Sequence, residues 1–203
     1  VPGASSITGI SAGGNHTCAA FTDSKAKCWG YNLNGLLANG STANATAPSS
    51  VLKPSIVGNI AQVAPGRDHS CAVFGNGTAT CWGDNVQGQL GNGTTTDRLT
   101  PAAVPGLTGA TAVATGYLHS CALLADGTVA CWGRNTVGQL GDGTTTDRWT
   151  PTPVPGITTA TARVVEQLTR EAVAPREIEP GLYLAADAET GSRIIDVRDQ
   201  IQR

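Results

Sequence analysis

The stretch HSCALLADGTVACWG, residues 119–133, carries two cysteines ten apart with Ala125-Asp126-Gly127 midway between them. An ADG turn between apolar runs fits a three-residue hairpin loop, a type I turn closed by Gly127 at positive φ. That loop pairs Leu124 with Thr128, and counting outward sets Cys121 directly opposite Cys131. A two-residue Asp126-Gly127 loop would instead pair Cys121 with Trp132 and send the cysteines to opposite faces. Directly opposed residues have Cα atoms about 4.5–5.5 Å apart, within reach of a disulfide. The three-residue loop and a cross-strand disulfide are therefore expected.

The arrangement occurs three times. HSCAVFGNGTATCWG at 69–83 sets Cys71 and Cys81 around Gly75-Asn76-Gly77. HTCAAFTDSKAKCWG at 16–30 sets Cys18 and Cys28 around Thr22-Asp23-Ser24, with Ser24 where the turn wants glycine. That first turn should be the most strained of the three. The constant spacing predicts local pairs Cys18–Cys28, Cys71–Cys81 and Cys121–Cys131, one connectivity out of the fifteen open to six cysteines. Two other readings compete. Buried free thiols would be the arrangement of a cytosolic protein. His-x-Cys with a cross-strand Cys offers three metal ligands, but on adjacent faces of a flat hairpin rather than around a tetrahedron. Disulfides imply an oxidising compartment, so the expected location is extracellular or at the cell surface.

The surrounding composition narrows the classes of function. The 203 residues include 26 Gly, 11 Pro, no Met and four Trp, with a net charge of −2. Nothing in that balance suggests nucleic acid or an anionic membrane as a partner. No apolar run approaches the roughly 20 residues a spanning helix needs. The opening VPGASSITGISAGG has neither a basic nor an apolar leader region. An exported chain is therefore expected to have lost its leader, and because VPG aligns with linkers at Val104 and Val154, the chain is expected to begin inside a repeat.

His16, His69 and His119 recur at intervals of 53 and 50 residues, and Trp29, Trp82 and Trp132 follow the same intervals. Behind each Trp stands a second block: GYNLNGLLANGSTANATAP, GDNVQGQLGNGTTTDRLTP and GRNTVGQLGDGTTTDRWTP. Before each His runs a short apolar strand: ITGISAG, IAQVAPG, ATAVATG. Each unit thus offers a strand, a hairpin and a Gly-rich outer loop, the pattern of an all-β radial array. The glycines of the GQLG block suit close backbone approach where units meet, and the Trp suits an apolar wedge between them. The His is expected to hydrogen-bond backbone in the neighbouring hairpin. Thr, Asp and Arg of GTTTDR are expected to satisfy turns rather than bind ions.

The pattern resembles the repeat of the regulator of chromosome condensation family, in a bacterial-type, cysteine-paired form. It is carried by His69, Trp82, Gly83, Asn85, Gly88, Gln89, Leu90 and Gly91, and again by His119, Trp132, Gly133, Asn135, Gly138, Gln139, Leu140 and Gly141. The first copy departs, with NGLLANG in place of GQLGNG. The resemblance covers about residues 1–162 and implies a β-propeller, with seven blades in the best-known members. About three blades are expected here, near 1–56, 57–106 and 107–156, with the start of a fourth to residue 162.

Past residue 162 the sequence changes character. Residues 163–203 hold 14 charges, two Gly and no Cys, against 14 charges, 24 Gly and all six Cys before them. This short tail reads as α+β, a helix near 163–173 followed by a hairpin from LYLAAD to RIIDV. It carries no family signature and no evident chemistry.

Enzyme chemistry finds no footing in these residues. There is no phosphate-binding Gly-Lys-Ser/Thr loop, no Gly-x-Ser-x-Gly elbow and no metal-spaced His pair. Asp142 and Asp147 repeat the turn positions of Asn92 and Asp97, which argues for structure. The expected function is a non-catalytic scaffold without cofactor or metal, an exported bacterial propeller engaging a protein or glycan. The family offers an alternative, guanine-nucleotide exchange on a small GTPase, which the cysteine pairs and the slight acidity disfavour. Ile7, Ile10, Trp29, Val113 and Trp132 are expected on uncovered outer blade faces, which would promote self-association.

Overall fold

A computed structural model describes residues 6–52, 59–160, 176–179, 182–187 and 191–196, the last three stretches as backbone only. Three antiparallel sheets of four strands follow one another along the chain. The first blade comprises β1 (Ile7–Ala12), β2 (His16–Phe21), β3 (Ala26–Gly30) and β4 (Ala45–Ser50). The second comprises β5 (Ile60–Pro65), β6 (His69–Phe74), β7 (Ala79–Gly83) and β8 (Arg98–Ala103). The third comprises β9 (Ala110–Thr115), β10 (His119–Leu124), β11 (Val129–Gly133) and β12 (Arg148–Pro153). Strand order within each blade is sequential, and β5 lies against β1 and β2 as β9 lies against β5 and β6. The fold is that of three blades of a β-propeller.

The middle hairpins follow from the turn chemistry. Leu124 N–H donates to the Thr128 carbonyl at 2.9 Å and Gly127 N–H to the Leu124 carbonyl at 3.0 Å, with Gly127 at φ +81°. Cys121 therefore stands opposite Cys131, as Cys18 does Cys28 and Cys71 does Cys81. In the first hairpin Ser24 takes the corresponding positive φ, +62°, where an L side chain is strained.

The fourth strand of each blade is a correction to the sequence reading, which assigned those residues to an outer loop. β4, β8 and β12 contain Pro48, Pro101, and Pro151 with Pro153. Proline cannot donate to a ladder, which is why the segments read as loop; each is an edge strand, where one side needs no donors. In the tail, β13 (Arg176–Glu179), β14 (Leu182–Asp187) and β15 (Gly191–Asp196) form a three-stranded sheet. β14 pairs with β15 antiparallel, with Tyr183 opposite Ile195. The helix expected at 163–173 lies outside the described residues. No helix among the described residues is long and apolar enough to cross a membrane.

Candidate functional site: the blade interfaces and the groove at their inner ends

The repeated residues meet where one blade packs on the next. Trp82 of the second blade is buried among Cys18, Cys28, Leu37 and Ala38 of the first, and its Nε1 donates to the Leu36 carbonyl at 2.8 Å. Trp132 of the third blade enters the second blade's core of Cys71, Cys81 and Leu90 in the same way, donating to the Gln89 carbonyl at 2.9 Å. Each indole thus buries its apolar body and satisfies its one polar atom. The close approach explains the glycine at 91, which has φ +66°: a Cβ there would lie 2.6 Å from the Trp132 Nε1. In the first blade Ala38 fills that position at φ +52°, buried beside Trp82.

The histidines do cross between blades, but to a side chain and not to backbone. His16 Nε2 lies 2.7 Å from the Ser70 hydroxyl, and His69 Nε2 lies 2.8 Å from that of Ser120. Ser120 Oγ in turn donates to the Gln89 carbonyl at 2.9 Å, so it accepts from His69 and fixes the ring as the Nε2–H tautomer. The sequence reading missed this because a residue just after the next histidine, not the hairpin backbone, holds the acceptor. Burial pushes His16 down to about 4. Burial, together with the neighbouring His119 and His16, pushes His69 down to about 3. Both rings are neutral at physiological pH, as a dry interface requires.

The Gly-rich blocks are organised by a buried asparagine whose role the sequence reading left unassigned. Asn85 Oδ1 accepts from Leu90 N–H at 2.9 Å, while Nδ2 donates to the carbonyls of Thr94 and Thr96. Its own N–H donates to Asp97 Oδ1 at 2.8 Å. Asn135 repeats the set with Leu140, Thr144, Thr146 and Asp147, and Asn32 does so with Leu37, Ser41, Ala43 and Asn44. The recurrence of Asn at 32, 85 and 135 was the available signal. Gln89 and Gln139 each fold back onto a nearby N–H, that of Gln87 and that of Val137. Gly88 faces the ring of Trp149 from the next blade, while Gly138 faces only its own loop, nearest the Thr144 carbonyl.

The acids of these loops are occupied in the same frame. Burial opposes ionisation of Asp142, but hydrogen bonds from Thr144, Arg148 and Asn135 outweigh it and hold the carboxyl down to about 2. Its bond to Arg148 Nε is 2.7 Å long. Asp84 is shifted the other way, raised by burial and by the neighbouring Asp97 and Asp68. Cys18–Cys28, Cys71–Cys81 and Cys121–Cys131 are disulfides, each with Cα atoms 4.1 Å apart. That is closer than the register alone predicts.

What the frame leaves open lies at the inner strands' ends. A groove of about 370 Å³ runs between Ser11–Gly14, Gln62–Arg67 and Val113–Tyr117. Its floor is glycine and alanine, held by Gly14 N–H to the Gly66 carbonyl at 3.0 Å and Thr115 Oγ1 to the Ala64 carbonyl at 3.1 Å. On its rim the Arg67 guanidinium stacks 4.0 Å above the Tyr117 ring and lies 3.5 Å from Asp68. The corresponding pairs Gly14-Asn15, Arg67-Asp68 and Tyr117-Leu118 differ in every blade, whereas the glycine before them does not.

The expected outer-face residues divide. Ile7 and Ile10 are exposed, at 41% and 60%. Val113 and Trp132 are not: both are buried against the second blade. A blade turns its Trp and inner strand toward the blade before it, and among the described residues Ile7 and Ile10 of the first blade stay exposed.

Comparison with known proteins matches this geometry. Two models of the regulator of chromosome condensation (RCC1) repeat fit the chain, one at residues 28–73, 76–123 and 126–166, the other at 7–36, 60–89 and 110–139. The ultraviolet-B receptor UVR8 of Arabidopsis thaliana is 35% identical over 98 residues, covering 48% of this chain and 22% of that protein. A protein RCC2 homolog of Danio rerio is 40% identical over 92 residues, covering 44% and 18%. The chain thus spans about a fifth of the length of these relatives. Among solved structures, Prp20p of Saccharomyces cerevisiae superposes with a TM-score of 0.67 at 23% identity, covering 74% of this chain and 38% of that one. Human WBSCR16 gives 0.66 at 22%, covering 73% and 38%. With its three blades, their inter-blade indoles and their buried asparagines matched by the repeat model over most of its length, the chain belongs to the regulator of chromosome condensation repeat family.

Proposed function

We propose that the chain is a non-catalytic recognition scaffold of an exported protein, and that it binds a protein partner through the groove rimmed by Arg67 and Tyr117. The observation that carries this reading is the division of labour among the residues. Histidine and tryptophan hold neighbouring blades together, and asparagine and the loop acids hold the Gly-rich loops, while Gly14, Arg67 and Tyr117, which differ between blades, all line one groove. Stacking on Tyr117 holds the Arg67 guanidinium at the rim of the groove, and a guanidinium is a common partner for carboxylates. The structure of Prp20p was described with its binding to Gsp1p and histones, so protein recognition is a use to which a related fold is put. Three disulfides support export, since such bonds persist in oxidising compartments. The relatives named above are eukaryotic and lend no support to a bacterial source. A neutral glycan would suit the same groove less well, having no carboxylate to require Arg67.

The test is a binding screen against secreted proteins and glycans, repeated with Arg67→Ala and Tyr117→Ala. A protein ligand lost with both variants, while their melting is unchanged, supports the reading; ligands indifferent to both substitutions sink it. Guanine-nucleotide exchange, which the family resemblance implies, is the second reading. Release of labelled GDP from a small GTPase of the Gsp1p type would establish it. Six titratable thiols in the unreduced protein would remove the support for export.

A further inference from the structure

Trp82 and Trp132 belong to the packing of blades, and Trp149 does not. It lies near the start of the edge strand β12. The pairing of Gly30 with Ala45, Gly83 with Arg98 and Gly133 with Arg148 makes it the counterpart of Thr46 and Leu99. The fold asks little of this position. Leu99 covers Gly35 of the first blade as Trp149 covers Gly88 of the second: a Cβ built on Gly35 would lie 2.6 Å from Leu99 Cδ2, and one on Gly88 2.4 Å from Trp149 Cδ1. Gly40 N–H donates to the Leu99 carbonyl at 3.1 Å and Gly93 N–H to the Trp149 carbonyl at 2.9 Å, so both strands are held alike. A leucine therefore suffices where Trp149 stands. The tryptophan is nonetheless 51% exposed. Its Nε1–H makes no hydrogen bond among the described residues, unlike those of Trp82 and Trp132. The exposure does not come from the edge of the array, because Leu99, in the blade with a neighbour on each side, is 38% exposed at the same position.

We propose that Trp149 is a stacking platform for a neutral glycan, bound where the outer strand of the third blade meets the Gly-rich loop of the second. The indole is seated by its five-membered ring on Gly88, which fixes an apolar surface with an electron-rich face and an N–H donor at its rim. A pyranose ring is the complement of such a surface, with weakly positive C–H groups on its faces and hydroxyls around its edge. The surroundings suit that edge. Gly93, bonded to the Trp149 carbonyl, is followed by Thr94 and Thr95, and Trp149 by Thr150; Thr95 and Thr150 are exposed. A cationic ligand would gain from a carboxylate beside the ring, but the acids nearest along the chain are committed. Asp147 accepts from Asn135 N–H at 2.6 Å, and Asp142 holds Arg148 at 2.7 Å. That second pairing also neutralises the cation next to Trp149, so it offers little to select an anion. The Arg67–Tyr117 groove lies at the inner strands' ends and takes no part, so this site stands or falls separately from the proposed function.

Calorimetric titration of the full chain with cellohexaose, chitohexaose and maltohexaose tests this, together with Trp149→Leu. Leucine is what the second blade uses at this place, so the variant should melt as the wild type does. At least one of the three sugars should bind the wild type, and its affinity should fall by about tenfold or more in Trp149→Leu. Arg67→Ala should leave that affinity unchanged. A wild type that binds none of the three sugars overturns the proposal. So does a Trp149→Leu protein that binds them as well as the wild type. A sugar lost with Arg67→Ala instead sits in the groove, and overturns it too. Octaproline stands in for an apolar peptide partner: if it binds more tightly than every sugar and is lost with Trp149→Leu, the platform serves a protein and the proposal fails. If Trp149→Leu lacks a cooperative melt, Trp149→Thr, the residue type of the first blade, replaces it under the same criteria.

Discussion

The first and second blades are built on one frame but differ in what surrounds them. The second is enclosed by a blade on each side, and its special positions are strict: Gly77 at the hairpin turn, Gly91 under an indole, Trp82 buried. At the same three places the first blade has Ser24, Ala38 and a half-buried Trp29. Trp29 is only half-buried, so its substitution should matter less. Ser24 and Ala38 are another case, because both face the second blade. Each carries a positive φ that glycine would accept without strain, and each has a compensating contact. Ser24 Oγ donates to the Asn59 side chain, where Gly77 instead meets Gly109. The Ala38 methyl is fully buried in the cluster that holds Trp82. Enclosure sets how costly a position is, and local pairing decides whether a departure from glycine can be absorbed.

Acid should break the interface between these blades most strongly. Both His16 and His69 titrate lower in the fold, at about 4 and about 3, than the 6.5 of an unfolded chain. Below pH 6.5 the unfolded chain takes up protons that the fold refuses, so their contribution is full above 6.5 and falls as pH drops toward the folded values. The slope is about 1.4 kcal/mol per pH unit for each ring, or about 3 kcal/mol each by pH 4. Urea unfolding between pH 7 and 4 should show it, with His69→Gln flattening the slope by up to one proton. An unchanged slope would mean that the ring is not held neutral.

Next in size is the contrast between the two indoles. Trp82→Ala removes a buried wedge and leaves the Leu36 carbonyl unpaired, for a cost of about 3–5 kcal/mol. Trp29→Ala should cost less than half as much by the same denaturant measurement. Equal costs would mean that Trp29 is as well covered as Trp82.

Glycine at 91 gives a smaller contrast. Gly91→Ala combines positive-φ strain with a contact on the Trp132 indole and should cost about 2–3 kcal/mol. Ala38→Gly relieves strain but empties a methyl-sized space, so its effect should stay within about 1 kcal/mol of zero. Thermal melts of the two variants decide whether the first blade has adapted to alanine; a large stabilisation by Ala38→Gly would show that it has not.

The smallest expected effects sit at the hairpin tips. Gly127→Val should lower the melt by more than Thr128→Val, because a β-branched residue is strained at φ +81° and the built Cβ meets the Thr158 carbonyl at 2.6 Å. Thr128→Val forfeits only the hydroxyl's bond to Asp126, an exposed contact worth about 1 kcal/mol or less. Equal melts for the two would mean that the turn tolerates a bulky residue at positive φ.

The sequence by itself determined the hairpins of the three blades and the register that sets each cysteine opposite its partner in each of them. All of these depend on turn residues within about fifteen positions of the pairs they align, so local chemistry suffices. The fourth strand was hidden because its prolines mimic a loop, and only an edge position in a sheet makes them acceptable. Tertiary structure alone decided that His16 and His69 reach a serine of the next blade, and that Val113 and Trp132 are covered while Ile10 is not. Those outcomes depend on which blade lies against which face, some fifty residues away along the chain. Identical repeats carry identical local signals, so no local signal distinguishes an enclosed tryptophan from an exposed one. Only the presence of a neighbour to exclude water does.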